Sequence, residues 1–154
     1  MTKASDVIAA LAGKTLSTAE SCTGGMIGTV LTAVPGSSNV YKGGIVSYWS
    51  EIKHALLGVS EEDLARFGPV SAQVAAQMAK GARAALETDA AVSVTGLAGP
   101  GGDEFGNPVG TVFIGYSDTR GEIVEKHLFS GDRETVRALA ADAALALVLR
   151  KITE

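Results

Sequence analysis

The octapeptide TAESCTGG, Thr18 to Gly25, sets a carboxylate, a hydroxyl, a thiol, a second hydroxyl and two glycines in succession between two apolar segments. Such a turn, read as the passage from a strand into a helix, lies where ligands collect in α/β proteins, because the helix start offers unpaired N–H groups and a partial positive charge. Ser21 stands at that point and supplies a hydroxyl able to attack a carbonyl carbon. Its neighbour Cys22 is intrinsically the better nucleophile, and the order of residues does not decide between them. The purely structural alternative is that Ser21 or Thr23 caps the helix and Cys22 is a small buried hydrophobe.

A base for either nucleophile is offered by SYWSEIK, Ser47 to Lys53. With Ser50 as N-cap, Lys53 takes the third helical position, where the helix dipole opposes an ammonium group. Burial opposes it as well, so both effects push the amine toward neutrality, the form that accepts a proton. Tyr48 adds a phenol at the end of the preceding strand. The competing reading has Lys53 reaching into solvent along its stem and Tyr48 as a half-buried core aromatic.

Two further stretches bear on ligand contact. TGLAGPGGDEFGNPVGT, Thr95 to Thr111, is glycine-rich between two strands, so its backbone can approach a ligand closely or form an anion nest. It could equally be a hairpin tip. It carries no lysine and no GxxxxGK[ST] pattern, which disfavours a phosphate-binding loop of the nucleotidase type. The adjacent acids Asp103 and Glu104 read as solvated, and His54 and His127 lack ligand spacing, so no metal is assigned. In FSGDRETV, Arg133 opens the last helix, where a cation is locally unfavourable; either an anionic partner or pairing with Asp132 or Glu134 accounts for it.

The elements that must position these groups follow from periodicity. Val7, Ile8 and Leu11 predict a short first helix ended by Gly13, and KTLSTAE predicts a strand. Met26, Ile27, Val30, Leu31 and Val34 share a helical face that ends before Pro35. GGIVSYWS predicts a second strand, EIKHALLG a helix closed by Gly58, SEEDLARFG a helix capped by Ser60, and the stretch from Ser71 to Glu87 another helix. AAVSVTGL, GTVFIGYSD and EIVEKHLFS read as three more strands, the last two joined as a hairpin, and residues 132–151 as the closing helix. Strands alternating with helices and then a hairpin predict a three-layer α/β/α sandwich with a mixed central sheet.

A length of 154 residues suits one domain spanning 1–154, with 46% hydrophobic and 19% charged residues, a globular composition. The net charge of −4 without clustered Lys or Arg argues against a nucleic-acid interface. A single cysteine excludes an internal disulfide, no apolar run reaches the roughly 20 residues of a membrane span, and the chain reads as cytoplasmic. Ala-rich helices and glycine loops are compatible with a symmetric homo-oligomer.

The segments TAESCTGG, GSSNVYKGGIVSYWSEIK, GPVSAQVAAQMAKGA, VSVTGLAGPGG, NPVGTVFI and FSGDRETVR, in this order and spacing, resemble the CinA carboxy-terminal domain family, the nicotinamide-nucleotide amidohydrolases. The similarity runs from about Val7 to Leu149. It implies hydrolysis of the carboxamide of nicotinamide mononucleotide to nicotinate mononucleotide and ammonia, without metal or organic cofactor. By this resemblance Ser21 is the nucleophile, Lys53 its general base, and Tyr48 orients or relays the proton, a Ser–Lys variant of triad logic. Thr23, Gly24 and Gly25 become candidates for holding the oxyanion or the phosphate, and Thr95, Gly96, Gly99, Thr111 and Arg133 further substrate contacts.

Two positions depart from the family pattern: Ser50 stands where Asn is usual, and Asn107 where a Lys often precedes PVGT. The first keeps a capping residue; the second removes a cation within reach of a phosphate. Many relatives carry a larger amino-terminal domain resembling molybdopterin-binding proteins, so the resemblance implies a stand-alone amidohydrolase here. The alternative is a non-catalytic module that binds a pyridine nucleotide or a partner linked to competence or DNA damage.

Overall fold

The computed structural model describes residues 1–154. In chain order the elements are α1 (Ala4–Ala10), β1 (Leu16–Glu20), α2 (Met26–Thr32), a 3-10 turn (Ser37–Asn39), β2 (Tyr41–Val46), α3 (Ser50–Leu57), α4 (Glu61–Phe67), α5 (Ala72–Leu86), β3 (Ala90–Gly96), β4 (Thr111–Asp118), β5 (Gly121–Leu128) and α6 (Arg133–Thr153). The strands form one sheet in the order β2-β1-β3-β4-β5. β2, β1 and β3 run parallel, whereas β4 and β5 are antiparallel additions closed by the hairpin at Thr119 and Arg120. Parallel strands need helical crossovers, and these place helices on both faces.

One face carries α1, α2 and α6, the other α3, α4 and α5, giving a three-layer α/β/α sandwich with a mixed sheet. Between the sheet and the first helical layer, Leu11, Leu16, Ile27, Val92, Ile114 and Leu147 belong to one continuous apolar cluster. On the other face Ala19, Leu57, Val74, Met78 and Ala91 form a second. Complete burial of each large aliphatic side chain contributes roughly 1.5–3 kcal/mol. The second layer sits very close to its neighbours: a Cβ on Gly81 would collide with the Leu57 carbonyl, so α5 meets the end of α3 only because that residue is glycine.

No helix is long and apolar enough to cross a membrane. Capping follows the predicted signals where a hydroxyl or carboxylate is free to act. Ser60, Ser71 and Asp132 accept from the N–H groups of Asp63, Val74 and Thr135. Gly58 closes α3 in the left-handed conformation.

Two local expectations need correction. β2 begins at Tyr41, ahead of the glycine pair, and ends at Val46, so Tyr48 lies beyond the strand. α3 has Trp49 rather than Ser50 as its N-cap and no side-chain cap, which moves Lys53 one position further into the helix. The chain there is anchored instead by the amine of Lys53, which donates to the Ser47 and Tyr48 carbonyls. α6, expected over 132–151, runs from Arg133 to Thr153 and buries Val136, Ala140, Ala144, Leu147 and Val148 against the sheet.

Candidate active site

β1 is flanked by β2 and β3, and all three parallel strands point their carboxyl ends the same way. Ser21 emerges from that end. Its N–H donates to the Val94 carbonyl of β3 at 3.0 Å, extending the sheet by one residue and fixing the start of the turn. On the other side the Ser47 N–H donates to the Glu20 carbonyl at 2.8 Å, which carries the β1–β2 pairing past the end of β2. The two extensions bring Ser21, Ser47 and the entry to α3 together.

Lys53 reaches back from α3 into this junction. It is 1% exposed, and its Nζ lies 2.9 Å from Ser21 Oγ, itself 7% exposed. The same nitrogen donates to the Ser47 carbonyl at 2.8 Å and the Tyr48 carbonyl at 3.1 Å. No carboxylate stands within ion-pair distance of it. Burial without a counter-charge penalises the ammonium form and pushes the Lys53 pKa down to about 8, against a small opposing effect of the nearby Cys22.

The stoichiometry of these contacts is informative. A neutral amine has two hydrogens and one lone pair. The two carbonyls take the two hydrogens, which leaves the lone pair directed at the Ser21 hydroxyl. Protonation turns that third position into a donor toward Ser21 Oγ, so either charge state of Lys53 is fully hydrogen-bonded. Beside it the Ser47 hydroxyl is buried with no hydrogen-bond partner.

Above the pair lies a cavity of about 270 Å³. Its wall brings together Ser21, Tyr48 and Lys53 with Thr95, Gly96, Gly99 and Arg133. Thr95 is buried and its hydroxyl donates to the Pro69 carbonyl at 2.7 Å. The Arg133 guanidinium donates to the Gly99 carbonyl at 2.6 Å and to the Tyr48 hydroxyl at 3.1 Å, joining α6, the glycine-rich loop and the β2–α3 connection across the mouth. The Tyr48 phenol, 56% exposed, therefore faces Arg133, and it is the backbone of Tyr48 that touches the amine.

Cys22 also lines the cavity, yet burial pushes its thiol up to about 11, away from the nucleophilic thiolate. Of the two candidate nucleophiles, Ser21 is the one in contact with the Lys53 amine. Thr23, Gly24, Gly25 and Thr111 stand outside the cavity wall. The Thr23 hydroxyl donates to Glu20, Gly24 packs beside Arg137, Gly25 faces Val46, and the Thr111 hydroxyl donates to the Pro108 carbonyl.

A family model described as the CinA C-terminal domain matches residues 2–152. The chain belongs to the CinA C-terminal domain family. It is 49% identical over 142 residues to a CinA-like protein of Thermosynechococcus vestitus, covering 90% of this chain and 34% of that protein. To a putative competence-damage inducible protein of Moorella thermoacetica it is 46% identical over 139 residues, with 90% and 33% covered. The chain thus spans about a third of the length of these curated relatives.

Solved CinA structures share its fold closely. The competence-damaged protein (CinA) superfamily protein from Escherichia coli superposes with a TM-score of 0.91 at 37% identity, over 96% of this chain and 89% of that one. The competence damage-inducible protein A from Klebsiella pneumoniae gives 0.93 at 34% identity, with 99% of each chain covered.

Ser50 and Asn107, read from the sequence as departures from the family pattern, have clear places in this CinA domain. Ser50 is the first residue of α3 and lines the cavity. The Asn107 side chain donates to Asp103 at 2.9 Å and to the Val70 carbonyl at 3.2 Å, pinning the glycine-rich loop to the approach to α5 rather than entering the site. Two groups that the sequence reading passed over, Glu20 and Arg137, flank the turn after Ser21. Both lie inside the motifs TAESCTGG and FSGDRETVR, where residue type alone gives them no role.

Proposed function

We propose that this chain is an amidohydrolase that converts nicotinamide mononucleotide to nicotinate mononucleotide and ammonia, with Ser21 as nucleophile and Lys53 as general base. The observation that carries the reading is the buried Lys53 amine, 2.9 Å from Ser21 Oγ, with both of its neutral-state hydrogens engaged by backbone carbonyls. An amine so held has one task left for its lone pair.

The reaction follows from these contacts. Ser21 Oγ attacks the carboxamide carbon as its proton passes to Lys53 Nζ, and the carbonyl oxygen becomes an oxyanion. Collapse of the tetrahedral species breaks the C–N bond, and the ammonium of Lys53 returns the proton to the departing nitrogen, which leaves as ammonia. Water then attacks the Ser21 ester, Lys53 again taking a proton, and nicotinate mononucleotide is released with the hydroxyl restored.

Arg133 is the one cation of the cavity wall besides Lys53, and it stands at the mouth, so it is the group suited to the substrate phosphate. The start of α2 is not available for that purpose, because its N–H groups at Ile27 and Gly28 already donate to Glu20. Tyr48 positions Arg133 through its hydroxyl and Lys53 through its carbonyl.

Release of ammonia from the mononucleotide tests the reading. Ser21→Ala is expected to lower turnover by on the order of 10⁴-fold or more, while Cys22→Ala and Cys22→Ser stay within a few-fold of the parent. A Ser21→Ala protein turning over at the parent rate removes the serine mechanism, and binding without turnover in the unaltered protein favours a pyridine-nucleotide-binding module.

A further inference from the structure

The turn after Ser21 is held from two sides by charged groups that the chemistry above does not use. Glu20, 2% exposed, points its carboxylate back beneath the turn. One oxygen accepts from the Thr23 hydroxyl at 2.7 Å and the Ile27 N–H at 2.9 Å, the other from the Gly28 N–H at 3.1 Å. α2 starts on a left-handed Gly25 and has no side-chain cap, so this carboxylate serves as its cap from outside the helix.

Arg137 approaches from α6, one helical turn beyond Arg133. Its Nε donates to the Cys22 carbonyl at 2.9 Å and its Nη2 to the Thr23 carbonyl at 3.2 Å. Gly24 packs beside it at ordinary contact distance and is required for its positive φ of +58°, which a side-chain-bearing residue rarely adopts. Thr23 is consequently tied through its hydroxyl to one side chain and through its carbonyl to the other.

This bracing sets the direction of one N–H group in particular. The Gly24 N–H donates to the Ser21 carbonyl at 3.1 Å and closes the turn. In a trans peptide the C=O and the following N–H point in opposite directions, so the Cys22 N–H is aimed away from that closed turn. It has no oxygen acceptor in the protein, and Cys22 lies in the cavity wall. An N–H directly after the nucleophile, fixed in direction and left without an oxygen acceptor, is the donor that an oxyanion on the attacked carbon requires.

We propose that Glu20 and Arg137 are positioning residues that hold the turn after Ser21 so that the Cys22 N–H receives the oxyanion, an inference that rests on the amidohydrolase reading. They act on the backbone rather than on the substrate, and they act where charge develops in the transition state. Their loss therefore lowers kcat and leaves KM nearly unchanged.

The test is Arg137→Met, which keeps the apolar stem, together with Glu20→Gln and Arg137→Lys, each measured for ammonia release against pH and for amide hydrogen exchange. Arg137→Met is expected to lower kcat about 10–100-fold, with KM within about threefold of the parent and the acid limb of the pH profile unmoved. Exchange of the Gly24 amide is expected to quicken at least about tenfold while the Val94 amide in β3 stays as protected as before. Arg137→Lys, folding as the parent does, recovers only part of the loss, since an ammonium lacks the planar fork that meets two carbonyls.

A kcat within twofold of the parent overturns the proposal. So does a fall that appears equally in KM, which assigns the residue to substrate binding, or one that comes with a displaced acid limb, which routes its effect through Lys53. Should the parent protein release no ammonia, the exchange measurement separates the two readings: faster Gly24 exchange in Arg137→Met keeps the brace while the amidohydrolase assignment falls, and unchanged exchange removes both.

Discussion

Lys53→Met converts the buried amine into a test of its own electrostatics. Burial takes the Lys53 pKa from 10.5 to about 8. That displacement corresponds to ~3 kcal/mol of destabilisation of the charged form in the folded chain. Below the folded value of about 8 the lysine is protonated in both folded and unfolded chains, and the penalty is present in full. Between about 8 and 10.5 the folded chain has released a proton that the unfolded chain still holds, so stability rises with pH; above 10.5 both are neutral and the penalty is gone.

Methionine has no such dependence, although it leaves the Ser47 and Tyr48 carbonyls without their donor, at a cost of about 1–3 kcal/mol each wherever water does not replace it. That cost is the same at every pH and does not enter the comparison. Between about pH 7 and pH 9.5 the parent should therefore gain ~2 kcal/mol on Lys53→Met. With a urea dependence of about 2 kcal/mol per molar for a chain of this size, the gap between the two midpoints should change by about 1 M. Urea unfolding of both proteins across that range measures it directly, and groups that titrate alike in both cancel. A gap that stays constant with pH would refute the burial of a cation at Lys53 and, with it, the origin of its neutral form near pH 8.

Further outcomes follow from the same contacts. Activity should fall about tenfold per pH unit below a limb near 8 as Lys53 takes up its proton, and Lys53→Arg should be nearly inactive because guanidinium stays charged; a flat acid limb in the parent counts against Lys53 as base. Gly81→Ala should cost about 1–3 kcal/mol in urea unfolding, since the added methyl pushes α5 off the Leu57 carbonyl at the end of the helix that carries Lys53; an unchanged midpoint would show that the two helices separate freely. Ser47→Ala removes a buried hydroxyl that has no partner, so thermal unfolding should show a Tm equal to or above that of the parent, and a clear fall would mean that the hydroxyl is bonded in solution.

Much of the layered fold could be read from local chemistry. Ser60, Ser71 and Asp132 cap helices because a short polar side chain next to an apolar periodic run has few better uses, and Gly58 ends α3 because it adopts a positive φ without strain. The same logic misplaces the cap of α3, where a tertiary contact made by Lys53 does the anchoring and Ser50 is left to face the cavity. The meeting of Ser21 with Lys53 was suggested by residue type, whereas its geometry depends on backbone carbonyls, which carry no mark in a sequence. The glycine pair after Thr23 illustrates the limit. By type Gly24 and Gly25 read as ligand contacts, whereas both stand outside the cavity wall and serve the positive φ angles that turn the chain into α2.

The hydroxyl proposed to react and the amine proposed as its base are held by different layers of the sandwich. The neighbours of Ser21, Glu20 and Cys22, are held by α2 and α6 on one face of the sheet, while the amine arrives with α3 from the other. A slip of one helical layer by the width of a methyl group would open that contact while leaving every helix and strand intact. On the amidohydrolase reading, activity is thus a gauge of how the layers are mated, and mild heating or denaturant should abolish ammonia release while the far-ultraviolet circular dichroism of the chain is still that of the native state.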